Sequence, residues 1–282
     1  MLDKLRWAFW YMLILRALLN FVGLRRCRVA ISSGAPIAPE ILKFFRVLGV
    51  PIREAYGLTE ASGATTMQPG DESPVGTVGV PYPGVEVKLA DDGEIMIKGD
   101  VVFRGYFKNV EATREAICDD GWLRSGDVAR WEDGPAGREL RIIDRKKDIM
   151  ITAGGKNITP SEIENALRFS PYIKEAVVIA DRRRFVSALI QIDFENAGKW
   201  AEEQGLAYTH FRSLVELGPV RELIQSEVDA TNGKMPQVQQ VRKFHLLVKE
   251  LDHDDGEVTA TMKVRRKSIA EKYARAIEDI YV

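Results

Sequence analysis

The sequence predicts an α/β protein in two units, and three observations carry this prediction. Short apolar strands alternate with one helix across residues 27–90, and a hairpin pattern follows them. A second pattern, typical of a small α+β domain, begins near Asp144. The chain has 282 residues, of which 45% are hydrophobic and 29% charged. It is therefore long enough for one large domain or two smaller ones, each with a hydrophobic core.

The first part of the chain contains both helix and strand signals. Pro39 stands where proline is favoured, in the first turn of a helix. Asp91-Asp92-Gly93 is a turn sequence between two apolar runs, which indicates a β-hairpin in a smaller β-rich subdomain. In order, the pattern predicts a strand at 27–32, a helix at 39–48, strands at 51–55, 85–90 and 94–98, and a helix at 110–117.

The second part combines strands with a long helical stretch. Pro160-Ser161-Glu162 is typical of a helix start, and Gly205 and Gly218-Pro219 interrupt the helical pattern further on. The pattern predicts a strand at 149–152, a helix at 160–169, strands at 176–180 and 186–192, helical structure over 194–231, and a strand at 243–248.

The N-terminus carries an apolar run at residues 7–15 behind Lys4 and Arg6, which superficially resembles a secretory signal. Arg16 interrupts the run, no small-residue cleavage site follows, and the run is too short to span a bilayer. We therefore predict a helix packed within a larger domain. A membrane anchor is the less favoured alternative, so at most peripheral membrane contact is expected.

Charge and cysteine content exclude several protein classes. The formal net charge is −1, which argues against a protein that coats nucleic acid, although residues 182–184 and 263–267 are locally basic. The two cysteines give no disulfide framework and fit a reducing compartment, so the cytoplasm is predicted.

Four motifs follow one another along the chain, and only the second is specific by itself. They are Tyr56-Gly57-Leu58-Thr59-Glu60, Asp120-Gly121-Trp122-Leu123-Arg124-Ser125-Gly126-Asp127, Asp144-Arg145-Lys146-Lys147-Asp148 and Thr261-Met262-Lys263-Val264-Arg265-Arg266. Their order and spacing resemble the adenylate-forming, AMP-binding superfamily, and the helical stretch over 194–231 resembles its long-chain fatty acid acyl-CoA synthetases. The resemblance implies the C-terminal portion of a large adenylating domain at residues 1–144. It also implies a small mobile α+β lid domain at residues 145–282, with a hinge near 145–148.

The chemistry of several motif residues suits a nucleotide. An ionised Asp127 can accept both ribose hydroxyls, Arg145 offers a fork of donors to ribose or phosphate oxygens, and Glu60 is a hard oxygen ligand for Mg²⁺. The resemblance implies that Thr59 contacts the α-phosphate and that Tyr56, followed by Gly57, stacks on adenine. It also implies that Gly34-Ala35-Pro36 lines the adenine and acyl pocket. Taken alone, the Tyr56–Glu60 motif would more often be a turn with a helix cap.

Lys263 is the leading catalytic candidate, because a mobile cation can bridge the carboxylate and the α-phosphate that adenylation brings together. The resemblance matches it to the lysine that the family carries near its C-terminus. Lys147 matches the family's hinge residue, although solvated linker charge is an equally open interpretation of Lys146 and Lys147.

Gly154-Gly155-Lys156 invites comparison with a Walker phosphate loop and fails it. Met150 stands where the first glycine would be, and Asn157 replaces the serine or threonine. The resemblance implies instead that Gly154 and Gly155 face the pantetheine arm of coenzyme A. The three histidines are too scattered for a metal site, and residues 252–256 are predicted to be a turn and not a calcium loop.

The family's glycine- and hydroxyl-rich phosphate loop has no counterpart in the sequence, so the chain is expected to be the C-terminal half of a synthetase roughly twice its length. Three function classes remain. The first is an enzyme that uses fatty acid, ATP, Mg²⁺ and coenzyme A. The others are a non-catalytic nucleotide- or acyl-CoA-binding remnant, and a protein that completes a partner carrying the N-terminal half. An unpaired apolar surface including Trp7, Trp10, Leu13 and Leu18 is expected.

Overall fold

The computed structural model describes residues 2–35, 37, 39–135, 137–260 and 263–282, with backbone only for residues 2–4. The chain divides into two units, Met1–Lys147 (unit 1) and Asp148–Val282 (unit 2). Both units combine sheets with helices, so the predicted α/β class is confirmed.

Unit 1 begins with the predicted N-terminal helix. It consists of α1 (Leu2–Trp10), a π-helical turn (Tyr11–Leu15) and α2 (Arg16–Phe21). One face packs through Leu19 into a small core with Leu42, whereas Met12 and Phe21 on other faces are 71% and 89% exposed. Of the helices in the described part of the chain, none is both long and apolar enough to cross a bilayer.

A four-stranded sheet follows, with strands in the order β1-β2-β3-β4. The parallel pair β1 (Ala30–Ser32) and β2 (Ile52–Tyr56) is connected by α3 (Pro39–Leu48), as predicted. β1 is shorter than expected, because its partner strand is preceded by Pro51, which has no N–H to donate. The short antiparallel strands β3 (Thr66–Met67) and β4 (Val80–Pro81) complete the sheet.

The second sheet of unit 1 is antiparallel. It contains β5 (Glu86–Leu89), β6 (Glu94–Lys98), β7 (Leu123–Gly134) and β8 (Gly137–Arg145), with α4 (Val110–Ala116) between β6 and β7. The β5–β6 hairpin is confirmed, and Gly93 at its turn has φ +82°. The long β7–β8 hairpin was not predicted. Its register places Asp127 opposite Arg145, so two of the sequence motifs meet in one strand pair.

Unit 2 is built on a three-stranded sheet in the order β11-β12-β13. A two-stranded ribbon precedes it, and two layers of helices cover the sheet. The elements are β9 (Met150–Ile151), β10 (Asn157–Ile158), α5 (Pro160–Leu167), β11 (Ile173–Ile179), β12 (Val186–Ile192), α6 (Phe194–Glu203), α7 (Phe211–Val215), α8 (Gly218–Asn232), β13 (Val241–Leu246), α9 (Arg266–Lys272) and α10 (Ala274–Tyr281).

The central strand β12 is buried along its whole length because both faces of the sheet are covered. Residues of α5, α6 and α8 pack on one face, and Ile269, Ile277 and Ile280 of α9 and α10 pack on the other. Neither C-terminal helix was predicted. Gly218-Pro219 begins α8, because proline is tolerated in a first helical turn.

Candidate functional site

Two residues from distant parts of unit 1 contact the Asp127 carboxylate. The Tyr56 hydroxyl donates a hydrogen bond to Asp127 Oδ2 (2.6 Å), and Arg145 Nε lies 3.6 Å from Asp127 Oδ1. Tyr56 ends β2, while Asp127 and Arg145 face each other on β7 and β8. We call Tyr56, Asp127 and Arg145 the Asp127 clamp. The structure thus brings together predicted site residues that are up to 89 positions apart.

The clamp is charged and partly exposed. Burial raises the pKa of Tyr56 far above its usual value, and the Asp127 carboxylate adds to this shift, so the phenol stays protonated and donates. The Arg145 side chain is 57% exposed and that of Asp127 is 15% exposed. An ion pair whose arginine is this exposed adds little stability by itself.

The segment after Tyr56 turns sharply. Thr59–Ala61 form one 3₁₀ turn, which Leu58 precedes without a side-chain cap, and the turn closes when Gly63 N–H bonds to Leu58 O (3.0 Å). Thr59 is exposed, and Glu60 is half-buried. The motif therefore forms a turn, and this turn lacks the helix cap that the alternative structural interpretation of the motif included.

Steric contact with the neighbouring backbone requires glycine at position 57. A Cβ built on Gly57 would lie 1.5 Å from the carbonyl oxygen of Gly63. The backbone at the two ends of the turn is therefore in direct contact, and only glycine fits at this position.

Glu60 has a partner that the sequence did not reveal. Its Oε1 accepts a hydrogen bond from the Tyr106 hydroxyl (2.9 Å), and its backbone oxygen accepts one from Phe103 N–H (2.8 Å). Tyr106 lies 46 residues downstream in a loop, so no local pattern could have indicated this contact.

The loop after β1 contains the predicted pocket residues. Gly34 has φ +85° with no atom within 4 Å of a built Cβ, and Ala35 is exposed. Pro36 lies outside the described residues. Because β1 and β2 are parallel, this loop and the one that begins at Gly57 leave the same edge of the sheet.

The glycine loop of unit 2 connects β9 to β10. Thr152 N–H bonds to Lys156 O (3.0 Å), Gly155 has φ +73°, and a built Cβ on Gly155 meets only open space. Ala153 N–H bonds to Arg183 O (2.9 Å), which fastens the loop to the neighbouring turn. Gly154 and Gly155 are exposed there.

Lys263 lies on a turn that hydrogen bonds and a β-bridge stabilise. Its N–H bonds to Thr259 Oγ1 (3.0 Å), its carbonyl oxygen accepts from Thr259 N–H (2.8 Å), and Val258 bridges to Val264. Thr261 and Met262 of the same motif lie outside the described residues.

Two buried acidic groups support this turn. The Glu257 side chain has no exposed area and accepts hydrogen bonds from Lys249, Lys272 and Tyr273. On the other side, the Arg266 guanidinium binds Glu164 through two 2.6 Å contacts.

The two linker lysines differ. Lys146 Nζ lies 2.6 Å from Asp92 and 2.9 Å from Glu94, so Lys146 is more than a solvated charge. Lys147 is the last residue of unit 1, and its predicted hinge role stays a prediction.

No cluster of three or more potential metal-ligating side chains occurs within the described part of the chain. Within the predicted turn at 252–256, residues 253–256 form a turn, and Gly256 N–H bonds to His253 O (2.9 Å).

Two family models match the chain in succession. The model described as AMP-binding enzyme matches residues 8–107, and the model described as AMP-binding enzyme C-terminal domain matches residues 147–282. The chain belongs to the AMP-binding enzyme family. The family suggested by the four motifs is thus confirmed.

Relatives of this AMP-binding enzyme chain include ligases. Long-chain-fatty-acid--CoA ligase FadD15 of Mycobacterium bovis is 43% identical over 260 residues, which cover 90% of this chain and 42% of the relative. Human long-chain-fatty-acid--CoA ligase 6 is 32% identical over 269 residues, covering 90% of this chain and 38% of the relative. The chain spans less than half the length of these relatives.

Solved structures share the fold. The adenylation domain of a carboxylate reductase from Mycobacterium chelonae aligns with a TM-score of 0.72 at 25% identity, over 89% of this chain and 38% of that one. O-succinylbenzoate coenzyme A synthetase of Bacillus subtilis, in complex with AMP, aligns with a TM-score of 0.64 at 25% identity, over 90% and 48%.

Proposed function

We propose that this chain is the C-terminal part of an enzyme that converts a fatty acid, ATP and coenzyme A into acyl-CoA, AMP and pyrophosphate through an acyl-adenylate. The observation that carries the proposal is the Asp127 clamp, in which three separate motifs converge on one carboxylate. The names of the relatives, which are long-chain-fatty-acid--CoA ligases, support the acid class.

In the proposed site, Asp127 accepts hydrogen bonds from the ribose hydroxyls, and Arg145 donates to ribose or phosphate oxygens. Tyr56 stacks on adenine while its hydroxyl holds Asp127, and Thr59 contacts the α-phosphate. Gly34 and Ala35 line the pocket at the same edge of the sheet.

Glu60 fits a Mg²⁺ ion that travels with ATP. Mg²⁺ is commonly bound through one or two carboxylates and the substrate phosphates, so a single half-buried glutamate suffices. The Tyr106 hydrogen bond occupies Oε1 and fixes the side chain. Bound there, the ion would offset phosphate charge.

In unit 2, Lys263 stabilises the charge that develops as the carboxylate attacks the α-phosphate. Gly154 and Gly155 leave room for the pantetheine arm of coenzyme A, and open space around the Cβ position of Gly155 supports this role. We further propose that the hinge at Lys147 lets unit 2 serve the two half-reactions in turn. The unpaired thiols of Cys27 and Cys118 support a reducing compartment, for which we propose the cytoplasm.

The proposal predicts that Asp127→Ala weakens AMP binding to the chain at least tenfold. The change removes an acceptor of two charge-assisted hydrogen bonds, each worth about 1.5–3 kcal/mol. Equilibrium dialysis with labelled AMP measures the effect. Asp133→Ala, an exposed carboxylate on the same strand, is the matched control and should change nothing. Equal affinities in both variants would assign Asp127 a purely structural role.

Exposed apolar side chains in unit 1 support the proposal that a further part of the enzyme packs against this unit. Trp7, Trp10, Leu13 and Leu18 are 43%, 50%, 59% and 37% exposed, as predicted from the sequence. Large exposed apolar side chains grouped on one short helical segment are typical of an interaction site. We propose that the N-terminal half of the enzyme covers it, as part of the same polypeptide or as a separate partner. We call this assembly the complete enzyme.

The chain by itself is therefore expected to bind AMP without catalysing adenylation. The sequence has no counterpart of the family's glycine- and hydroxyl-rich phosphate loop, which would hold the β- and γ-phosphates. Fatty-acid-dependent exchange of labelled pyrophosphate into ATP should stay at background with the purified chain. Exchange without any partner would overturn this expectation, and absence of AMP binding would favour a partner-completing protein over a nucleotide-binding remnant.

A further inference from the structure

Glu94 is a buried carboxylate that the proposed reaction does not use. It begins β6, and its side chain is only 5% exposed. One carboxylate oxygen accepts a hydrogen bond from Gly126 N–H (3.0 Å), and the other accepts one from Lys146 Nζ (2.9 Å). Glu94 thus contacts the residues that directly precede Asp127 and directly follow Arg145.

Gly126 is held from both sides. Its N–H donates to Glu94, and its carbonyl oxygen accepts from Lys146 N–H (2.8 Å). With φ +72° it has a left-handed backbone conformation within β7, and this conformation sets the direction in which Asp127 leaves. The N–H and the carbonyl oxygen of Gly126 are therefore both hydrogen-bonded, one to Glu94 and the other to Lys146.

The charges at this point depend on one another. A buried carboxylate is stable only when donors compensate its lost hydration, and Lys146 supplies the charged donor. Asp92 holds Lys146 from the solvent side at 2.6 Å. These contacts raise the pKa of Lys146 and lower the pKa of Asp92. Loss of Lys146 would leave Glu94 with one neutral donor from the backbone.

We propose that Glu94 is a positioning residue for the Asp127 clamp and that Lys146 acts together with Glu94 in this role. Glu94 sets the direction of Asp127 through Gly126, and Lys146 fixes the end of β8 that carries Arg145. The inference rests on the proposed nucleotide site and deepens it.

A second consequence concerns the linker. Because Lys146 is held through both its backbone and its side chain, the ordered part of unit 1 extends to residue 146. A rotation at the proposed hinge is then confined to residues 147–148 and does not disturb the ribose-binding carboxylate. Glu94 would thus keep nucleotide binding constant while unit 2 changes position.

Ribose discrimination is the readout that tests this proposal. The affinities of the full 282-residue chain for AMP and for 2′,3′-dideoxy-AMP are measured by equilibrium dialysis. The ratio of the AMP affinity to the dideoxy-AMP affinity reports how well the Asp127 carboxylate is oriented toward the ribose hydroxyls. We expect Glu94→Gln to weaken AMP binding about fivefold and leave dideoxy-AMP binding unchanged, so that the ratio falls. Glu86→Gln, an exposed residue of the adjacent strand, should preserve the ratio.

Lys146 provides a second arm. Lys146→Met should lower the ratio as Glu94→Gln does, Lys146→Arg should retain it, and the double variant Glu94→Gln/Lys146→Met should be no worse than the single variants. Such non-additivity is expected of residues that act together. Thermal unfolding of each variant separates mispositioning from loss of fold.

The outcomes are distinct. A lowered ratio in Glu94→Gln with unchanged thermal unfolding supports the proposal. If Glu94→Gln keeps the wild-type ratio of AMP affinity to dideoxy-AMP affinity while Asp127→Ala loses this preference, the positioning role of Glu94 is overturned. The proposed nucleotide site would then still stand. A wild-type chain that does not discriminate between the two nucleotides would overturn the ribose role of Asp127, and this inference with it.

Discussion

Lys263→Ala is expected to abolish acyl-adenylate formation by the complete enzyme. The ammonium group would be lost from a turn that two buried acidic residues hold in place, and Arg266 and Lys272 cannot move into its position without breaking their contacts with those residues. Removing one preorganised group that stabilises transition-state charge costs about 10²- to 10³-fold in rate. Formation of the thioester from supplied acyl-adenylate should remain largely intact, because that step needs no such bridge.

The two half-reactions are measured separately. Fatty-acid-dependent pyrophosphate exchange reports adenylation, and release of AMP from supplied acyl-adenylate in the presence of coenzyme A reports thioester formation. Lys267→Ala, which removes an exposed lysine four residues further along the chain, is the matched control. Equal loss of both half-reactions in Lys263→Ala would refute the assigned role.

Gly57→Ala is expected to unfold the turn that carries Thr59 and Glu60. The added methyl would lie 1.5 Å from the Gly63 carbonyl oxygen, which is backbone and cannot rotate away. Forced overlap of this kind lowers the free energy of unfolding by about 3 kcal/mol, and for a unit of this size the melting temperature by about 10 °C. AMP binding should be lost as well, since Tyr56 precedes the displaced residue.

Thermal unfolding followed by tryptophan fluorescence checks this prediction, because four of the five tryptophans lie before residue 148. Gly70→Ala is the matched control, since a Cβ on Gly70 meets no atom within 4 Å. If both variants melted at the wild-type temperature, the tight backbone contact would not exist in solution.

Elements with a clear period were predictable from the sequence. The amphipathic helix α3 and the β5–β6 hairpin lie at the predicted residues because their apolar spacing and turn residues agree. The β7–β8 hairpin was missed for a physical reason. A register shift between Val128 and Ala129 breaks the alternation of buried and exposed residues, so the strand lacks a period of two.

The C-terminal helices were missed because neither begins with a side-chain cap, and α9 is short and rich in charge. In the site, motif residues could be named, but their partners could not. Tyr106 reaches Glu60 and Glu94 reaches Lys146 across 46 and 52 residues, and only the tertiary fold decides such pairs. The sequence therefore predicted the parts of the clamp, and folding determines how they support one another.

The hydrogen bond between Tyr56 and Asp127 has a consequence for the energetics of recognition. Because the carboxylate is already oriented by a phenol and an arginine, little conformational entropy is lost when a ligand arrives. The carboxylate is thus oriented before binding, and we expect its reorganisation energy to be small. If the clamp binds ribose as proposed, we expect it to favour ligands whose hydroxyl groups match the orientation of its carboxylate.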